Sequence, residues 1–276
     1  LEAWLGEGKN IKELAPSVVD FSANRALSKG DITRWLNALR ELNDFGNQGF
    51  SFQKKQINQW VKSYSTLTDR RIVAFVDSMV LHHEVSGDLK YLTTLYMLYQ
   101  KHGEYEKMIG ALNKGINLDK GDFSLWRELF YAYYDVEDYE SLLSATEEST
   151  AYFFAQPLIY FMQGVAYSKL GQLPAAIESW NKTIPLASSS QPTLYIQTLT
   201  ALFDLYEEDS KIQGAIDLLR FQGDVNQFQS YEVVEFLGDS YARFGLASRA
   251  VLFYEQAIML GGAEEFIQPK ILGINP

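Results

Sequence analysis

A chain of 276 residues with 47% hydrophobic and 21% charged residues has the composition of an ordered, core-forming protein, not a disordered one. Its 35 acidic and 24 basic residues give a formal charge of -11, and no basic cluster exceeds Lys54-Lys55 or Arg70-Arg71, which excludes the basic stripe that a nucleic-acid partner requires. With no cysteine, the chain has no disulfide, thiolate metal site or cysteine nucleophile, and no apolar run approaches the roughly 18 residues of a membrane span. It begins at Leu1 with neither an initiator Met nor a signal-peptide pattern, so a processed or truncated product is expected.

Taken in order, residues 1–15 carry Trp4, Leu5, Ile11 and Leu14 around a Gly6–Gly8 break, which fits a short helix or the second half of a hairpin. Pro16 opens a helix whose apolar face is Val19, Ala23, Ala26 and Leu27. SKGD at 28–31 is a tight turn, and Trp35, Leu36, Leu39 and Leu42 form the stripe of the return helix. FGNQG at 45–49 reads as a loop. A helix through Phe52, Ile57, Trp60, Val61 and Tyr64 follows. Thr68-Asp69 then caps an almost continuously apolar helix through Ile72, Val73, Phe75, Val76, Met79 and Val80, and SGD at 86–88 closes that pair.

From Leu89 onward the chain repeats. A shift of 34 residues lays Tyr99 on Tyr133 and Tyr105 on Tyr139; a second lays Tyr133 on Tyr167 and Glu137 on Gly171. Tyr206 and Tyr241 hold the same place in two later copies. Five tyrosines in one register, each followed by a turn and a second apolar-periodic helix, define helical hairpins at about 89–122, 123–156, 157–195, 196–230 and 231–262. ASSSQP at 187–192 and GDVNQFQ at 223–229 read as loops. Gly261-Gly262, Pro269 and Pro276 end the helical signal in a tail at 263–276. One hairpin cannot bury both of its apolar faces, so each must stack on the next. Small residues at Gly164, Ala176, Gly238, Ala250 and Ala257 are expected where two helices cross closely, and the recurring tyrosine is expected to keep its hydroxyl near the rim, where it finds an acceptor.

The segment LGDSYARFGLASRAVLFYEQAIML, with Gly238, Tyr241, Gly245, Ala250, Tyr254 and Ala257, resembles the tetratricopeptide repeat nearly throughout. So does QGVAYSKLGQLPAAIESWNKTIPL, with Gly164, Tyr167, Gly171, Ala176 and Trp180. The other copies depart from the motif: Tyr96, Phe130 and Phe203 stand where the family has Gly. The resemblance covers 89–260, and 1–88 in degenerate form. It implies an all-α fold, a right-handed superhelix of about six to seven antiparallel hairpins, forming one continuous solenoid domain. Stretched spacing and the phrase LPAAIESWNKTI are similar to multi-repeat proteins of Bacteroidetes-type bacteria, which implies a periplasmic or cell-envelope address.

Chemistry has few footholds. His82 and His83 are adjacent on a helix and point about 100° apart, His102 is isolated, and no HExxH motif occurs, so no metal site is expected. Phosphate loops, nucleophile elbows and dinucleotide fingerprints are missing, so neither an enzyme nor a cofactor is expected. Acid runs such as Glu147-Glu148 fit a solvated face.

The resemblance places first helices along a concave groove. Carried over, it puts Lys101, Arg127, Tyr131, Tyr134, Phe161 and Lys169 in the middle of that groove. Asp204, Glu207, Glu208, Glu232, Glu235 and Asp239 make its C-terminal part acidic. A protein or peptide partner with a basic segment and an aromatic anchor fits this line. On the bland reading the acids serve solubility and the rings pack the superhelix. Two functions from different classes therefore stand: a non-enzymatic protein-binding scaffold, or a structural stretch of a larger multi-repeat envelope protein with no separate ligand.

Overall fold

The carbonyls of Tyr99, Tyr133, Tyr167, Tyr206 and Tyr241 each accept the backbone N–H of the residue five further on, at 2.8–3.0 Å. This is the long-range bond that closes a helix and launches the chain into a reversed one. The tyrosine register in the sequence is thus the register of the turns. In a computed structural model, which describes residues 16–63, 69–82, 89–187, 191–208, 211–225 and 228–274, every regular element among the described residues is helical. By its contacts the chain divides into two compact units, residues 1–132 and 133–276.

In the first unit, α1 (Pro16–Ser28) and α2 (Ile32–Glu41) form a hairpin. Gly30, at φ 70°, makes its turn; Asp31 N–H returns to Ala26 O at 3.0 Å, and the Asp31 carboxylate caps α2 by accepting from Arg34 N–H. Val19, Ala23, Leu27, Trp35, Leu36, Leu39 and Leu42 are buried, as their spacing predicts. α3 (Gly46–Ser63) corrects the reading of 45–49 as a loop. The reversal is made by a 3-10 turn, Leu42–Phe45, and by Gly46 alone, at φ 56°. Gly49 already lies in α3, so close to the Leu42 carbonyl that a Cβ would collide with it. Glycines that look like a loop are here a corner and a close backbone approach.

The first unit continues with α4 (Arg70–His82), α5 (Leu89–His102) and α6 (Tyr105–Leu118). Asp69 caps α4 by accepting from Arg71 N–H, and it also grips the Arg71 guanidinium, a bond that lowers its pKa. Residues 1–15, Tyr64, Thr68, His83 and the turn at 86–88 lie outside the described residues. α7 (Phe123–Asp135) contains the boundary of the two units.

The second unit holds α8 (Tyr139–Thr150), α9 (Pro157–Lys169), α10 (Leu173–Ala187), α11 (Pro192–Glu208), α12 (Ile212–Val225), α13 (Tyr231–Arg243) and α14 (Ala247–Met259). α12 runs on through Gly223–Val225, which corrects the loop expected from residue 223. Here Gly223 is kept small because a Cβ would press on Tyr241 and Phe253. The tail is likewise corrected. Residues Glu264–Ile274 form a further helix, α15, with Pro269 inside it. Pro269 lies on the solvent side and forfeits one backbone bond, while Ile267 and Ile271, both buried, anchor the helix.

Within the hairpins, small residues face large ones as expected. A Cβ on Gly164 would press into the Trp180 indole, and one on Gly238 would lie 2.7 Å from Tyr254 Cδ1; Ala176, Ala250 and Ala257 are fully buried. The recurring tyrosine reaches back to the second helix of the preceding hairpin. Tyr99 donates to Asp77 at 3.1 Å, Tyr167 to Glu147 at 3.3 Å and Tyr241 to the Leu219 carbonyl at 3.2 Å. Tyr241 does so from a fully buried position, so its acceptor is in the core and not at a rim.

The turn glycine recurs as Gly30, Gly103, Gly171 and Gly245, all at φ 69–75°, but copy two has Glu137 there at φ 58°. A non-glycine residue in this region costs about 1–2 kcal/mol. Glu137→Gly is expected to raise stability by up to about 1 kcal/mol, part of the relief being offset by glycine's greater unfolded-state freedom. Denaturant melts showing a loss instead would mean that the Glu137 side chain supplies something the turn needs.

Candidate functional site

Helical spacing places Arg127, Tyr131 and Tyr134 on one face of α7, and all three are exposed. Tyr131 and Tyr134 keep 42% and 41% of their surface in solvent, which is high for rings in a packed helical pair. The Arg127 guanidinium bonds Glu128 at 2.9 Å, and Tyr134 meets Tyr139 edge-on, with centroids 6.4 Å apart. These contacts orient the stripe without covering it.

Lys101 is placed differently from its expected groove role. Its ammonium sits 3.9 Å from the centre of the Trp60 ring, and burial pushes its pKa down. Trp60 in turn stacks between Trp35 and His102, at 6.4 and 5.7 Å. Phe161, expected as an anchor, is half-buried against the core of the second unit, and its carbonyl accepts the Trp180 indole N–H at 3.1 Å. Lys169 is exposed at the end of α9.

First helices α9, α11 and α13 are neighbours in the second unit, and the acids of α11 and α13 are answered by cations of that unit. Arg243 at the end of α13 reaches both Asp204, at 3.0 Å, and Glu207 on α11. Hydrogen bonds to Glu207 and Asp204 raise its pKa. Lys270 on α15 binds Glu235 and Asp239 on α13, each at 2.8 Å. Burial works to lower its pKa, but the bonds to Asp239 and Glu235 prevail and raise it. Asp239 also accepts the Tyr254 hydroxyl at 2.7 Å, and Glu232 accepts from Ser230. The Glu208 side chain lies outside the described residues. The line that reads as one acidic surface is therefore, in part, a set of interhelical clamps. Pro269 and Pro276 make the segment around Lys270 resemble a tail; the Ile267 and Ile271 pair beside it is the signal of a helix.

Among the described residues, no group of three or more His, Asp or Glu side chains is placed to hold a metal ion. No described helix is long and apolar enough to cross a membrane.

No protein-family model matches the chain, and no curated protein matches it. Solved structures do. One is a tetratricopeptide repeat protein from Parabacteroides merdae, 13% identical, aligned over 95% of this chain and 99% of that one, with a TM-score of 0.46. Another is MamA from Desulfovibrio magneticus RS-1, 17% identical over 75% and 91% of the two chains, TM-score 0.43. A third is a putative kinesin light chain with nearly identical TPR-like repeats from Podosopora anserina, 16% identical over 64% and 97%, TM-score 0.42. The class is set by the chain's own geometry: helical throughout the described residues, with antiparallel hairpins closed by one recurrent turn. Those hairpins are tetratricopeptide-like in period, turn register and small-against-large packing.

Proposed function

We propose that this chain is a non-enzymatic interaction scaffold that holds a peptide segment of a protein partner against the exposed face of its first helices. The anchor is the stripe of Arg127, Tyr131 and Tyr134 on α7, and its exposure is the single observation that carries the reading. Tyr and Arg concentrate binding energy because they desolvate large, stiff, partly polar surfaces at little entropic cost. A net charge of -11 supports a protein partner and not a nucleic acid. Within the second unit, the carboxylates of α11 and α13 would attract a basic partner. Four carboxylates there are already occupied by Arg243 and Lys270, so the charge acts chiefly on the speed of encounter.

A peptide selected from a random library displayed against the whole chain supplies the probe. Tyr131→Ala combined with Tyr134→Ala is expected to weaken its binding more than tenfold, roughly 1.4 kcal/mol, through faster dissociation. Charge reversal at Glu207 and Glu232 is expected to slow association, with an effect that fades as salt rises. If selected peptides bind the double tyrosine variant at wild-type strength, this face is not the site.

A further inference from the structure

Each of the two units carries an exposed apolar surface with charged neighbours, and the two sets of neighbours are of opposite sign. In the first unit, α1 and α2 frame a concavity of about 220 Å³ whose apolar lining is Val18, Phe21 and Ala26. Phe21 is 62% exposed. Arg25, Lys29 and Arg34 rim it, against one carboxylate, Asp31, which is engaged in capping α2. In a chain as acidic as this one, such a basic rim around apolar surface stands apart. By the turn register, Phe21, Ser22 and Arg25 occupy the places that Thr94, Leu95 and Leu98 hold in α5, where all three are buried. The concavity is therefore made from the part of a first helix that another element covers elsewhere in the chain.

In the second unit, the corner between α14 and α15 presents Met259, 79% exposed, and Phe266, 69% exposed. Glu264 and Glu265 precede the phenylalanine, and both are exposed. The corner is held by backbone bonds: Gly262 N–H to Ala257 O at 2.9 Å and Phe266 N–H to Ala263 O at 3.0 Å. The corner thus offers an acid-flanked aromatic knob.

We infer that a second copy of this chain is the occupant, and that the copies associate knob to hole. Phe266 of one copy enters the concavity at Phe21 of the next, and Glu264 and Glu265 meet Arg25, Lys29 and Arg34. Charge decides between geometries. Two acidic corners facing each other would repel, as would two basic concavities, so an isologous pairing of either surface with itself is disfavoured. Knob and hole are different patches, so each contact joins the knob of one copy to the hole of another. The assembly grows with concentration and loosens with salt.

Sedimentation velocity on the whole chain, from low micromolar to submillimolar concentration and at two ionic strengths, reads this out. The weight-average sedimentation coefficient is expected to climb with concentration, less steeply at high salt. Phe266→Ser is expected to weaken association at least tenfold. So is Arg25→Glu combined with Arg34→Glu. All these side chains line the surface, so thermal melts should match wild type. The decisive arm mixes the two variants. One keeps a sound hole and the other a sound knob, so together they should give a dimer that grows no further. A wild-type chain that stays monomeric throughout overturns the inference, as it would if residues 1–15 of the same chain or an unrelated protein were the occupant. Association that survives both variants, or variants that fail to complement, overturns it equally.

Discussion

Trp180→Ala is expected to cost the second unit about 3–5 kcal/mol, the range for removing a large aromatic from a packed core. Trp180 is 4% exposed, packs over Gly164 and donates its indole N–H to the Phe161 carbonyl at 3.1 Å. Truncation leaves a void at the closest crossing of α9 and α10 and removes that carbonyl's indole donor. The complementary change, Gly164→Ala, should cost about 1–3 kcal/mol by overpacking. An added Cβ would lie 2.5 Å from the indole Cδ1, and the ring is pinned by its hydrogen bond. Because the two residues meet, their effects should not add. In a Trp180→Leu background Gly164→Ala should cost much less, a coupling that a double-mutant cycle in urea measures directly. Equal cost in both backgrounds would mean that the two side chains do not oppose each other.

Asp20→Ala is expected to cost the first unit about 2–3 kcal/mol, chiefly by stranding a buried amide. Asp20 is buried on α1, where its Oδ1 accepts from Gln56 Nε2 at 2.5 Å and its Oδ2 from Lys55 at 2.8 Å. Gln56, fully buried on α3, passes the chain on by accepting the Trp35 indole N–H at 3.1 Å. Lys55 is mostly in solvent and loses little when its partner is removed. Gln56 has no such escape: its amide keeps only a long 3.4 Å contact to the Asp20 carbonyl. Asp20→Asn preserves an acceptor and should cost under about 1 kcal/mol. Denaturant unfolding followed by tryptophan fluorescence separates the two variants. Similar losses for Ala and Asn would point to the charge, and not the hydrogen bond, as what matters.

Much of the fold could be read from the residues because one physical requirement recurs at one spacing. Each hairpin needs a carbonyl five residues before the restart of the chain, and Tyr99, Tyr133, Tyr167, Tyr206 and Tyr241 mark it. Small residues opposite rings, at Gly164 and Gly238, follow from how closely two helices approach. Three readings went astray where local composition has two meanings. Glycines at 46 and 49 signal a loop or a tight corner, and here they make a corner and a close approach. Gly223 is helical because Tyr241 needs the space. Pro269 stops a helix unless buried neighbours outweigh the lost bond, as Ile267 and Ile271 do.

The candidate site was less legible, because what a surface residue faces depends on partners distant in sequence. Asp204 and Glu207 read as open acid on α11, yet Arg243 arrives from α13 to hold both. Glu235 and Asp239 are held by Lys270, from a helix that the sequence did not announce. Asp20 sits within an apolar stripe and gives no sign of the buried network it anchors. Helical periodicity ranks Phe161 and Tyr131 alike, but the first packs on its own core and the second stands in solvent. Only the α7 stripe keeps the exposed aromatic character that the spacing suggested.

Photocrosslinking in the native cell tests the binding face most directly. A benzophenone amino acid is placed at Tyr131, on the first-helix face, or at Asn181, an exposed position on the second helix α10. The expected result is a discrete protein adduct from Tyr131 that Tyr134→Ala diminishes, with no such adduct from Asn181. A discrete adduct from Asn181 with none from Tyr131 would contradict the proposed face and move the partner to the second helices.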